Sequence, residues 1–138
     1  MKKVMVFGTF DILHQGHISF LKQAKECGDY LYIVVAQDDN VERIKKKRPE
    51  NPLPMRIAEL ERQKFGDEVL PGGETDFFRI IEEKKPDIIC LGYDQKSRGL
   101  YKEIKSRKWN LKVMRLKPFE EHRYKSSLLS DSAVNSSK

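Results

Sequence analysis

The chain has 138 residues, a length that fits one domain with a single substantial core. Lys and Arg number 27 against 21 Asp and Glu, and the resulting charge of +6 favours anionic ligands such as nucleotides and phosphorylated metabolites. No apolar run nears the ~18 residues of a membrane span, so no membrane partner is expected. Met1-Lys2-Lys3 runs straight into a strand-like segment with no cleavage site, and Cys27 and Cys90 form no CxxC pair, which together fit a cytoplasmic protein in a reducing compartment. Cys90 lies in the apolar run "DIICLG" and reads as a buried structural thiol.

In chain order, residues 4–7 read as a short buried strand. Residues 16–27 read as a helix with Phe20, Leu21, Ala24 and Cys27 along one side and Gly28 at its stop. "YLYIVVA" is a continuous β-branched and aromatic run, the pattern of a strand covered on both faces. Asp38 or Asp39 is placed to cap a short helix through "NVERIKKK". Pro49, Pro52 and Pro54 mark a loop, and Pro54 opens a helix through "MRIAELERQKF" that closes before Gly66. "DEVLPGG" gives a strand and a turn, and Thr75 or Asp76 caps "FFRIIEEKK", which Pro86 ends. "DIICLG" is a further strand, "LYKEIKSRK" a helix, "LKVMRL" a last strand, and "SSLLSDSAV" one or two helical turns. The domain is expected over residues 1–130, with 131–138 as a polar tail.

The alternation β-α-β-α-α-β-α-β-α-β-α argues for a five-stranded parallel sheet of α/β class, doubly wound with helices on both faces. Ligands in such sheets bind at the carboxyl ends of the strands, where the strand order reverses. The first strand ends at Phe7 and the fourth at Leu91-Gly92, and each is followed at once by an unusual polar sequence: "GTFDILHQGH" after one and "YDQ" after the other.

The chain has three histidines, and His14 and His17 are two of them. A random histidine pair is more often a surface feature than a site. Here the pair follows the first strand, has Gly16 between its members, and opens a helix whose free N–H groups and dipole attract phosphate. The HxxH spacing does not match the HExxH zinc helix, and no GxxxxGK[ST] or GxGxxG occurs. Two imidazole donors at a phosphate site suit phosphoryl or nucleotidyl transfer, in which negative charge builds on nonbridging oxygens.

Gly8-Thr9-Phe10-Asp11 followed by His14-Gln15-Gly16-His17 resembles the (T/S)FD…HxGH signature of the nucleotidyltransferase superfamily, in its cytidylyltransferase-like branch. The likeness runs over nearly the whole chain. The segment from Gly8 to Val41 is similar to both glycerol-3-phosphate cytidylyltransferases and archaeal FAD synthases. "KKKRP", "PDIICLGYDQ" and "KSSLL" are closer to the archaeal FAD synthases. The resemblance implies a Rossmann-like fold, a homodimer, and attack of a substrate phosphate on the α-phosphate of a nucleoside triphosphate, with Mg2+ or another divalent cation bound to the nucleotide phosphates. It implies ATP with FMN as acceptor. The alternatives are CTP with glycerol-3-phosphate or a related ester, and a sugar phosphate of lipopolysaccharide-core type. A nucleic-acid-binding module is disfavoured, because the basic residues are spread along the chain and no RNP-type aromatic motif is present.

The resemblance places Thr9, Phe10, Asp11, His14, Gly16 and His17 at the nucleotide, with His14 and His17 catalytic. Lys45 and Lys47 fall eleven and nine residues before Arg56, like the family's triphosphate-binding lysine pair; the resemblance makes them catalytic as well, and their surroundings suit a flap that closes over ATP. Lys46 and Arg48 are expected to face solvent. Arg56 opens a helix, where a cation opposes the dipole, so it needs an acidic side chain or a ligand phosphate as partner; the phosphate is the expectation. Asp94 is expected to read the nucleotide, and Tyr93 and Gln95 to line the acceptor pocket. "HRYKSSLL" resembles the carboxyl-terminal motif, with Ser126 and Ser127 on the triphosphate. Arg123 sits at the acceptor, though its spacing from Ser126 is shorter than in the cytidylyltransferases. No protein metal ligand is expected.

Overall fold

The computed structural model describes residues 1–119. Its elements are β1 (Lys3–Gly8), α1 (Gln15–Glu26), β2 (Tyr30–Val35), α2 (Asp38–Lys45), α3 (Leu53–Gln63), β3 (Glu68–Pro71), α4 (Arg79–Lys84), β4 (Ile88–Leu91), α5 (Leu100–Arg107) and β5 (Lys112–Arg115). The strands form one parallel sheet in the order β3-β2-β1-β4-β5. The chain winds outward from β1 through β2 to β3, then crosses back to lay β4 on the other side of β1. The order therefore reverses between β1 and β4, and their carboxyl ends frame the crevice in which such sheets bind ligands.

Alternation along the strands separates two apolar layers. Val4 and Val6 of β1, Leu31, Ile33 and Val35 of β2 and Cys90 of β4 pack with Leu21 and Ala24 of α1 and Leu60 of α3. Met5, Phe7, Tyr32, Val34, Ile89 and Leu91 pack on the opposite face with Ile81 of α4 and Leu100 of α5. Residues of both parities along β1 are buried because helices cover both faces, as the unbroken apolar runs require. Cys90 is fully buried, and burial pushes its thiol pKa up to about 12.

The element order agrees with the pattern read from the sequence, and the differences lie at helix ends. Neither Asp38 nor Asp39 caps α2; Gln37 holds that position without a side-chain capping hydrogen bond, and the Asp38 carboxylate is drawn to Arg56. The helix expected to open at Phe77 starts at Arg79, after Asp76 has accepted the Phe78 N–H at 3.1 Å in an Asx turn. The ends of α2, α3, α4 and α5 are closed by Lys46, Lys64, Lys85 and Lys108 in the left-handed conformation, so lysine stands where glycine is the usual choice. The helical turns expected in "SSLLSDSAV" lie outside the described residues.

Candidate active site at the switch point

Beyond β1 the chain reverses through Thr9 and Phe10. Phe10 has φ of +50°, a left-handed conformation that costs ~1–2 kcal/mol for a side-chain-bearing residue. Burial of its ring offsets that cost: Phe10 is 3% exposed, meets the His17 ring edge-on at 5.7 Å and lies at 6.4 Å from Phe20. A Cβ on Gly8 would stand 2.7 Å from this ring, so the turn requires glycine there. Phe10 thus serves the site as the surface against which His17 is seated.

The two histidines form a reciprocal cap on α1. His14 is the N-cap, and its Nδ1 accepts the Gly16 N–H at 3.1 Å. His17, at the third helical position, accepts the His14 N–H on Nδ1 at 3.3 Å. This is the geometry of a Ser-x-x-Glu capping box, with imidazoles in both places. With each Nδ1 accepting, the ring proton sits on Nε2. The rings stack at 3.9 Å. A Cβ on Gly16 would stand 2.9 Å from His14 Cε1, so glycine is what lets the His14 ring lie over the first turn. Desolvation pushes the His17 pKa down from 6.5 to about 4, with further lowering by His14 and by the Lys45 charge, against a hydrogen bond to the Ile12 backbone that raises it. At neutral pH His17 is therefore an uncharged N–H donor, and Lys45 lies within electrostatic reach of it.

The segment between α2 and α3 is anchored at both ends. Upstream, Arg48 donates to Asp39 at 3.0 Å and Glu42 at 2.8 Å, so it is ion-paired rather than simply solvated. Downstream, the Asp11 carboxylate accepts the N–H groups of Glu50 at 2.6 Å and Asn51 at 2.9 Å, while the Asn51 amide donates back to the Asp11 carbonyl at 3.1 Å. Burial raises the Asp11 pKa, but these donors and the Arg56 charge outweigh it and hold the carboxyl below its ordinary value. Asp11, expected at the nucleotide, is a latch for this segment. Lys45 ends α2 and Lys47 lies just before the Arg48 anchor; both are exposed and make no hydrogen bond or ion pair among the described residues.

Arg56 corrects the expectation of a phosphate ligand. Its side chain is 0% exposed, and every edge of the guanidinium is engaged: Nη2 with Asp38 at 2.5 Å, Nη1 with the Thr9 carbonyl at 2.9 Å and Nε with the Asn51 carbonyl at 2.9 Å. The acidic partner that a cation in a first helical turn requires is Asp38. Arg56 thereby ties α2, the turn after β1 and the segment before α3 to one point.

The β4 side is also strapped. Gln95 accepts the Gly92 N–H at 3.0 Å and donates to the Phe7 carbonyl at 3.0 Å, linking the carboxyl ends of β4 and β1. One N–H and the oxygen of its amide are thus spent on the backbone, which gives Gln95, expected at the acceptor, a bracing role. Arg115, which sequence reasoning missed, donates to the carbonyls of Gly92 and Gln95 at 2.7 Å each. Tyr93 and Asp94 ride on this braced loop and remain exposed, Tyr93 at 58%. A cleft of about 390 Å3 opens between the β1–α1 loop and α3, lined by Asp11, Ile12, Leu13, Ile18, Met55 and Phe65 among others. Among the described residues no group of three or more His, Cys, Asp or Glu side chains is placed to hold a metal ion. Arg123, Ser126 and Ser127 lie outside the described residues.

The chain is 43% identical over 123 residues to the FAD synthase of Ferroglobus placidus, covering 88% of this chain and 80% of that one. It is 43% identical over 129 residues to the FAD synthase of Archaeoglobus profundus, covering 92% and 82%. The crystal structure of the lipopolysaccharide core biosynthesis protein from Thermoplasma volcanium superposes with a TM-score of 0.81 at 38% identity, over 87% of this chain and 99% of that one. Pantoate-beta-alanine ligase from Francisella tularensis, at 19% identity and a TM-score of 0.60, shares the fold. The family model described as cytidylyltransferase-like matches residues 5–130, and the chain belongs to that family.

Proposed function

We propose that the chain is an FAD synthase, which joins the phosphate of FMN to the α-phosphate of ATP and releases pyrophosphate. The observation that carries this reading is the match to archaeal FAD synthases at 43% identity over 88% and 92% of the chain, with the paired histidines at the switch point. The attacking group is an anionic phosphate oxygen, so no general base is needed. Catalysis is alignment and charge neutralisation. ATP lies with its phosphates at the N-terminus of α1, where free N–H groups and the helix dipole favour negative charge. The Nε2–H groups of His14 and His17 donate to the α-phosphate oxygens as charge accumulates. Lys45 and Lys47 meet the β- and γ-phosphates, and the pyrophosphate leaves between them. Tyr93 and Asp94 face the base and the acceptor from the β4 loop. A divalent cation enters as part of the nucleotide substrate. The homodimer belongs to this proposal through the family resemblance, and light scattering checks it.

The test is pyrophosphate release with ATP or CTP, each against FMN, glycerol-3-phosphate and a sugar phosphate. ATP with FMN is expected to turn over fastest, with FAD appearing in step with pyrophosphate. Faster turnover of ATP with the sugar phosphate would move the assignment toward the structural relative from Thermoplasma volcanium, and faster turnover with CTP would move it to the cytidylyltransferases.

A further inference from the structure

Between β3 and α4 the chain crosses the carboxyl edge of the sheet, and this loop presents an aromatic residue that no motif singles out. Phe77 is 43% exposed although it is a large apolar side chain. Its ring lies 4.9 Å from that of Phe7, tilted by 34°, and 5.2 Å from that of Phe78, at 89°. Phe7 is itself 7% exposed and next to last in β1, and its carbonyl is the one that Gln95 ties to the end of β4. The exposed ring is therefore stacked on the strand that ends at the switch point, on the sheet face opposite α1 and its histidines.

The loop that carries Phe77 is fixed from several sides. Gln37 donates to the Gly72 carbonyl at 2.8 Å and Asn40 to the Gly73 carbonyl at 3.1 Å, which binds the turn to the start of α2. The Gly72 N–H continues the ladder to the Val35 carbonyl at 2.8 Å, and Asp76 accepts the Phe78 N–H. A wholly hydrophobic side chain held half in water on a braced loop gives up apolar burial that a small shift toward the core would recover. The arrangement makes physical sense when another flat apolar surface completes the stack.

We propose that Phe77, backed by Phe7, is a specificity-determining residue that stacks on the planar ring system of the acceptor. This rests on the reading of the chain as an FAD synthase, because the isoalloxazine of FMN is such a ring and the alternative acceptors, glycerol-3-phosphate and sugar phosphates, have none. Stacking adds binding for a tricyclic aromatic acceptor without touching the phosphate that reacts. It thereby separates recognition of the acceptor from the chemistry performed at the histidines.

The experiment compares wild type with Phe77→Leu and Phe77→Tyr in steady-state assays of ATP with FMN, and follows quenching of flavin fluorescence when FMN binds. Phe77→Leu is expected to raise the KM for FMN about tenfold, in line with loss of one aromatic stack, with the KM for ATP within about twofold and the quenching lost. Phe77→Tyr keeps the ring and is expected to restore both. Thermal melting checks that the leucine variant is folded, and Phe77→Met, which also lacks a ring, carries the same KM and quenching readouts if it is not. An unchanged KM for FMN and intact quenching in Phe77→Leu would overturn this inference alone. Wild-type protein that releases no pyrophosphate from ATP and FMN would overturn the FAD synthase reading and this inference with it.

Discussion

Two sets of polar side chains share the carboxyl end of the sheet, and they behave differently. Asp11, Asp38, Asn51, Arg56, Gln95 and Arg115 are committed to one another and to backbone groups. Lys45, Lys47, Tyr93 and Asp94 make few or no contacts among the described residues and stand exposed. The first set holds several loops from different strands in one arrangement, because a site assembled from loops has no helix or strand ladder to fix it. The second set is left to meet ligand. His14 and His17 belong to both: each uses Nδ1 for the cap and keeps Nε2 as the N–H. A phosphate site built in this way keeps its scaffold charges locally neutral, so that the residual positive charge of the lysines is directed at the substrate.

If this division holds, the two sets fail in different ways when truncated. The largest effect is expected for Arg56→Ala. It removes a fully buried cation and leaves Asp38, one quarter exposed, with only Arg48 at 3.9 Å. Breaking such a pair costs ~3–5 kcal/mol, so the urea midpoint should fall sharply. The KM for ATP, measured well below the new unfolding transition, should change little. A large rise in that KM with unaltered stability would return Arg56 to the phosphates. His17→Ala comes next. Loss of a pre-organised donor costs about 2.7–4 kcal/mol of transition-state stabilisation, or 100-fold or more in kcat, with the KM values for ATP and FMN within about threefold. Defective binding with normal kcat would refute a transition-state role.

The same division marks what can be read from the sequence. The parallel five-stranded sheet and the place of the crevice are legible because they follow from apolar runs alternating with helical periodicity, and β1 and β4 end where those runs end. His14 and His17 are legible as a pair, and their three-residue spacing carries a further signal. It is the spacing of a capping box, in which each side chain turns back to a backbone N–H at the helix start. Arg56 is misread because its partner, Asp38, lies 18 residues upstream on another helix. Only tertiary packing brings the two together. The bracing role of Gln95 is hidden for the same reason, since its strap to Phe7 spans 88 residues. Asp11 is recognisable as a site residue, but its latch to residues 50 and 51 consists of backbone N–H groups, which residue names do not reveal. Phe77 carries no periodic signal at all, because its significance lies in exposure on a loop.

Lys45 sharpens the comparison from the other side. It is exposed and has no hydrogen-bond or ion-pair partner among the described residues, so Lys45→Ala should leave stability within about 0.5 kcal/mol of wild type. A lost charge-assisted contact to triphosphate should lower kcat/KM for ATP about tenfold while leaving the KM for FMN alone. The effect should shrink at high salt, since the contact is solvent-facing. A destabilised variant with normal ATP kinetics would place Lys45 in the scaffold set.

The smallest effect expected is the pH dependence contributed by His17, and it tests the double role of that residue. Its pKa in the folded protein, about 4, lies below the ordinary 6.5, with desolvation as the leading cause. Between those values the unfolded chain binds a proton that the native state excludes, so stability rises with pH through this window and is lost as pH falls from 6.5 toward 4. Asp11 acts in a separate range. Its lowered pKa contributes stability above the unfolded value of 3.8 that disappears only at still lower pH. Urea denaturation at pH 7, 6 and 5 should therefore show a slope for wild type that flattens in His17→Gln, which retains a capping-box side chain without the titration. In kinetics the sign differs. A neutral donor needs no proton from solvent, so kcat/KM should show no decline as pH rises through 6.5. A decline there that vanishes in His17→Gln would mean that the free enzyme works through an imidazolium. The desolvation that seats His17 against Phe10 would then be weaker than the packing indicates.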